Sequence, residues 1–204
     1  MNRTIKLLML ADIFIVTGFG LIDPILAIFI KENLAGGTIF MAGLASTLFL
    51  LVKCSVQLPF SKYVDKHDNK VKWLVIGAAI CTTVPFIYMF ATNIYHIFLA
   101  QFILGIGSGL TFPTWLGLWS INLDKKKESF EWSLYSTFTG IGTALTAAGG
   151  AAIAQFIGFR YTFALVGVLS LVGAVILFTL EKQKKSKNPT LLDYQFAVKT
   201  TQKN

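Results

Sequence analysis

LLMLADIFIVTGFGLIDPILAIFI, residues 7–30, decides the fold class. About 20 apolar residues coiled at 1.5 Å per residue cross the roughly 30 Å hydrocarbon core of a bilayer, and this run is long enough to do so. Two aspartates, Asp12 and Asp23, interrupt it. The whole chain has the same character: 54% of its 204 residues are hydrophobic, 14% are charged, and the mean hydropathy is +0.65. Such a composition belongs to an integral membrane protein. The run is too long for the core of a cleaved signal peptide and lacks a small-residue cleavage site. No period-2 alternation of apolar and polar residues marks a barrel, so helices are the way to satisfy the backbone in lipid. Six spans are expected, at residues 7–30, 39–60, 73–91, 97–120, 131–157 and 161–180, forming a transmembrane domain over residues 1–180. Residues 181–204 are lysine-rich and polar and read as a weakly ordered basic tail.

Basic residues set the expected orientation. Arg3, Lys6, Lys62, Lys66, Lys70, Lys72, Lys125, Lys126, Lys127 and the six tail lysines fall on one side of the spans, against Lys31 and Arg160 on the other. Cytoplasmic loops collect positive charge, which puts both termini in the cytoplasm of a multi-pass protein of the cell membrane. The net charge of +8 is then a topology signal and an attraction to anionic lipid headgroups, with no case for nucleic acid. Trp73, Trp115, Trp119 and Trp132 all lie in the same half, where interfacial anchors are expected. Cys54 and Cys81 fall in apolar runs and read as packed thiols.

Several fragments carry a family resemblance. The loop SKYVDKHDNKVK, residues 61–72, resembles the signature between helices two and three of the major facilitator superfamily. Asp65 takes the place of its acid, Lys66 of its first basic residue and Lys70 of its last, while Ser61, Asp68 and Asn69 replace the two glycines and the middle basic residue. GFGLIDPILAIF, residues 18–29, is similar to the first-helix pattern of the drug–proton antiporter branch through Gly18, Gly20 and Pro24. QFILGIGSGLTFP, residues 101–113, resembles the fourth-helix glycine pattern, with Gln101 where a membrane-embedded arginine is usual. GTALTAAGG, residues 142–150, keeps the terminal glycine pair of the antiporter pattern without its Gly-Pro, and GFRYTF, residues 158–163, is similar to the motif that opens helix six. The resemblance implies one half of a twelve-helix fold, built as two inverted three-helix repeats, with Asp65, Lys66 and Lys70 holding a gate conformation. A complete transport path then requires a homodimer or a second six-helix half.

Inside the spans, Asp12 and Asp23 are close to three helical turns apart, so they share one face and differ in depth by about 16 Å. Lys53 falls at the depth of Asp12 on the neighbouring helix, on one face with Ser46 and Gln57. A charge in the bilayer core costs roughly 2.5–3.5 kcal/mol, so an Asp12–Lys53 contact is expected. Asp23 has no cation at its depth; Gln101 is its nearest polar candidate, and Pro24 leaves the carbonyl of Gly20 without a helical donor. A kinked polar spot there suits a substrate or proton site, and the expected pathway is Asp23, Gln101, Asp12 and Lys53. Gly105, Gly107 and Gly109, with Gly140, Gly142, Ala144, Ala147, Ala148 and Gly149, read as close helix packing, and Pro85 and Pro113 as kinks.

No catalytic constellation is expected. Ser108 has no histidine at its depth, since His67 lies in a loop and His96 near the opposite surface, and two histidines and two cysteines at scattered depths offer no metal site or cofactor pocket. The expected function is alternating-access transport of a small amphiphilic or cationic solute, open to proton coupling. A non-transporting membrane module is the alternative.

Overall fold

The computed structural model describes residues 3–67 and 69–187. It is all-helical: α1 (Arg3–Gly20), α2 (Leu26–Asn33), α3 (Ile39–Asp65), α4 (Lys70–Met89), α5 (Ile94–Asn122), α6 (Glu128–Phe156) and α7 (Phe159–Lys187). Five helices are long and apolar enough to cross a membrane, Ile39–Asp65, Lys70–Met89, Ile94–Asn122, Glu128–Phe156 and the Phe159–Lys182 part of α7. The last is longer than expected, because α7 runs on through residues 181–187 before the remainder of the tail, 188–204, which lies outside the described residues.

The opening run is not one helix. It divides into α1 and α2 around a break at residues 21–25. Pro24 has no N–H to give to the carbonyl of Gly20, and the chain tightens into turns whose bonds run from Leu21 N to Gly18 O at 3.1 Å and from Ile22 N to Phe19 O at 2.8 Å. The kink expected from Pro24 is thus a full interruption, with Asp23 inside it. Pro85 and Pro113 differ, since α4 and α5 run through them without a break.

Connections are pinned by caps. The Thr38 hydroxyl accepts from Met41 N at 3.1 Å, and Asn93 Oδ1 accepts from Tyr95 N and His96 N at 3.0 and 3.3 Å, satisfying the first free donors of α3 and α5. The same two connections are tied together through Ala35, which bonds Thr92 O and Ile94 N. Gly158 takes a positive φ of 113° at the α6–α7 corner, a conformation side-chain-bearing residues seldom adopt.

Packing places α5 between α3 and α4, α4 also against α7, and α1 against α6 and α7. Two buried clusters mark the two ends of this bundle. One joins Ile22, Ile30, Tyr88, Ile97, Ala100 and Phe163; the other joins Ile5, Leu8, Leu74, Trp115, Leu118 and Trp119.

Close backbone approach explains the glycine run on α5. A Cβ on Gly105 would meet Val52 Cβ at 2.8 Å and one on Gly109 would meet Val56 Cβ at 2.7 Å, so this four-residue pair seats α3. Gly107 points the other way, onto Cys81 and Gly77 of α4. On α6 the contact residues are Gly142, against Thr17, and Gly150, against the backbone of Leu21. Gly140 and Gly149 have open space where a side chain would be, a correction to their expected packing role. The tryptophans need a correction too. Trp115 and Trp119 are buried and stacked at 4.9 Å, and Trp132 and Tyr135 pack on them, so these two indoles serve the bundle interior rather than the membrane surface.

Candidate functional site

A cavity of about 870 Å³ runs along the bundle. Its walls are α1 and α3, which are not packed on each other, and its floor is formed by α4 and α5 with Tyr135 of α6. Most of the lining is apolar, as small-molecule sites usually are, and the polar groups are few: Asp12, Asp23, Ser46, Lys53, Tyr88, Gln101, Ser108, Thr111 and Tyr135. Asp12, Asp23, Lys53 and Gln101 therefore face one space.

At the end nearer the α1 N-terminus, the Tyr135 hydroxyl donates to Asp12 Oδ2. Lys53 does not reach this carboxylate. Its ammonium lies over the Phe112 ring, 4.6 Å from the centroid, with Phe49 at 6.0 Å. The expected Asp12–Lys53 contact is corrected on both sides: a phenol holds the acid and aromatic faces hold the cation. Consecutive spans were assumed to be neighbours, whereas α3 packs on α5 and leaves the cavity between itself and α1. Tyr135, Phe112 and Trp115 were missed by sequence reasoning. For Tyr135 a signal existed, because it stands two turns from Gly142, the small residue that brings α6 against α1.

At the other end, Asp23 opens on the cavity from the α1–α2 break. Tyr88, buried on α4, lines the same cavity. Gln101 is 5% exposed and its Oε1 has no hydrogen-bond partner, an unmet acceptor at the edge of the cavity.

The α3–α4 loop is built around Lys70. Its ammonium donates to Val64 O at 2.6 Å, one of the last carbonyls of α3, and lies 3.3 Å from Asp65 Oδ1. Lysine at a helix C-terminus meets both a free carbonyl and the negative end of the dipole. Lys66 enters through its backbone, whose N–H caps α3 onto Tyr63 O and Val64 O. Among the described residues no three His, Cys, Asp or Glu side chains converge as a metal site would require.

A sequence model of the Major Facilitator Superfamily matches residues 8–201. The chain belongs to the major facilitator superfamily. Within this superfamily it is similar to the synaptic vesicular amine transporters of Mus musculus and Homo sapiens, each 24% identical over 190 residues. Those alignments cover 90% of this chain and 36% of each relative. The crystal structure of the POT family transporter PepTSo superimposes with a TM-score of 0.76 at 14% identity, over 89% of this chain and 38% of that one, a likeness of fold. The superfamily member described here thus spans little more than a third of the length of these relatives, which are transporters rather than enzymes.

Proposed function

We propose that this chain is one half of a secondary transporter that moves a small cationic or amphiphilic solute across the cell membrane by alternating access. A second six-helix unit completes the path, and α1 with α2 forms the first of the six spans described by this reading. The observation that carries this reading is the 870 Å³ cavity, with two carboxyl-bearing positions on an apolar wall between helices that do not pack on each other. The spans α3 and α6 are the least covered, 11% of each apolar window being buried against 39–50% elsewhere, and they are the natural seats for the second unit. Asp23, in the broken segment, is the proton-coupling residue; Lys70, bridging α3 and α4, holds the loop on the cytoplasmic side with both termini.

Uptake of a fluorescent organic cation into proteoliposomes under an imposed pH gradient tests this. Wild type should exceed protein-free vesicles, and Asp23→Asn should lose the dependence on the gradient. Gradient-driven uptake that survives Asp23→Asn removes the coupling role. Gln101, in place of the usual arginine, favours the second reading of a non-transporting membrane module, and wild-type uptake at the protein-free level would establish it.

A further inference from the structure

Of the described residues that line the cavity, Lys53 alone is cationic. Its place is fixed from the backbone. A Cβ on Gly109 of α5 would lie 3.1 Å from Lys53 O, so α3 and α5 touch at this level, and the Lys53 side chain reaches the ring of Phe112, 4.6 Å from its centroid. About 18 Å of helix separates Lys53 from Asp65, the last residue of α3. The ammonium therefore stands inside the span, where an unpaired charge is costly.

Among the described residues this ammonium makes no ion pair and no hydrogen bond. Asp12, the acid level with it, already accepts from Tyr135. The faces of Phe112 and Phe49 stabilise the charge, but a π face does not saturate three N–H donors. A second donor faces the same cavity from α5. Ser108 directly precedes Gly109, and its hydroxyl has only the thiol of Cys81 as a side-chain partner, at 3.9 Å, a weak bond that an anionic oxygen would replace. Phe49, Phe112 and Trp115 put aromatic surface on the cavity wall. Asp12 and Asp23 bring negative charge to the same space, so a dianion is disfavoured there relative to a monoanion.

We propose that Lys53 and Ser108 form a subsite for the carboxylate of a monovalent organic acid group, with the solute's apolar or aromatic body lying against Phe112 and Trp115. This rests on the carrier reading above and narrows its amphiphilic solute to one that bears a carboxylate. The carboxylate accepts from the ammonium and from the Ser108 hydroxyl, and the ammonium keeps its contact with the Phe112 ring. Lys53 is a specificity-determining residue: it tells a carboxylate from a neutral amide of the same shape.

The test uses the full chain in nanodiscs of phosphatidylcholine, with 3-phenylpropionate, its isostere 3-phenylpropionamide and acetate as probes, and binding measured by calorimetry. 3-Phenylpropionate should bind about tenfold more tightly than the amide, the value of one hydrogen bond to a charged group. Lys53→Met should bring that ratio to about one by weakening the acid alone, and Lys53→Arg, which keeps the charge and the donors, should retain it. Ser108→Ala should weaken the acid more than the amide. Equal binding of acid and amide by wild type, or an equal loss of both in Lys53→Met, overturns the carboxylate assignment. Acetate binding as tightly as 3-phenylpropionate overturns the placement of the body on Phe112 and Trp115. Binding of no probe overturns the subsite. Gradient-driven uptake of the fluorescent organic cation, measured on the same preparation, separates the two readings: if it persists, the carrier reading stands without the subsite, and if it is lost as well, both fall.

Discussion

Replacing Lys70 by methionine removes the charge and the donor while keeping an unbranched stem. That stem lies over Gly117 of α5, where a Cβ would sit 3.7 Å from Lys70 Cδ, so packing is retained. Two interactions are lost, and they differ in worth. The ammonium bond to Val64 O, 2.6 Å long, comes from a side chain only 14% exposed, and a hydrogen bond to a charged group contributes about 1.5–3 kcal/mol. The pair with Asp65 is 3.3 Å long, but that carboxylate is 75% exposed, and such pairs contribute about 0.2–1 kcal/mol before salt screening. Lys70→Met should therefore destabilise by about 2 kcal/mol and Asp65→Asn by about 0.5 kcal/mol or less. Equilibrium unfolding in mixed micelles, followed by tryptophan fluorescence, measures both. An Asp65→Asn loss equal to or larger than that of Lys70→Met would refute the reasoning and make the carboxylate the organiser of the loop.

Further outcomes can be stated from the packing. Gly107→Val should destabilise by about 1–3 kcal/mol or prevent folding, because its Cβ meets Cys81 Sγ at 2.6 Å and Gly77 O at 3.0 Å. Gly140→Ala, with nothing within 4 Å, should be neutral or stabilising by up to about 1 kcal/mol, and thermal unfolding in detergent separates the two. A double-mutant cycle between Asp12→Asn and Tyr135→Phe should show coupling of about 0.5–3 kcal/mol. The cycle between Asp12→Asn and Lys53→Met should be additive within about 0.5 kcal/mol, and strong coupling there would restore the direct ion pair. Trp119→Ala should cost about 3–5 kcal/mol, as expected for a fully buried indole rather than an anchor at the lipid surface.

Much of the fold is legible along the chain because lipid imposes one-dimensional rules. Five spans are marked by apolar length alone, since a backbone in hydrocarbon must bond within itself and the bilayer sets how long the segment runs. Pro24 announced the weak point of the first segment, because a missing N–H is a local fact. The family is also written locally, in glycine and loop patterns distributed over nearly the whole chain. Sequence also singled out the ionisable and polar residues that the bundle turns toward one cavity, for a charge placed in a span must face something other than lipid.

What each of those residues touches was decided by tertiary structure. Depth along a helix follows from the rise per residue, and it put Asp12 and Lys53 level; lateral placement does not, and it put a cavity between them. Gly105, Gly107 and Gly109 look equivalent in sequence, yet 100° per residue sends the outer two to α3 and the middle one to α4. Trp115 and Trp119 have the composition of surface anchors and are stacked inside, because α6 brings Tyr135 and Trp132 over them. Periodicity fixes which residues share a face, and only the arrangement of helices fixes what that face meets.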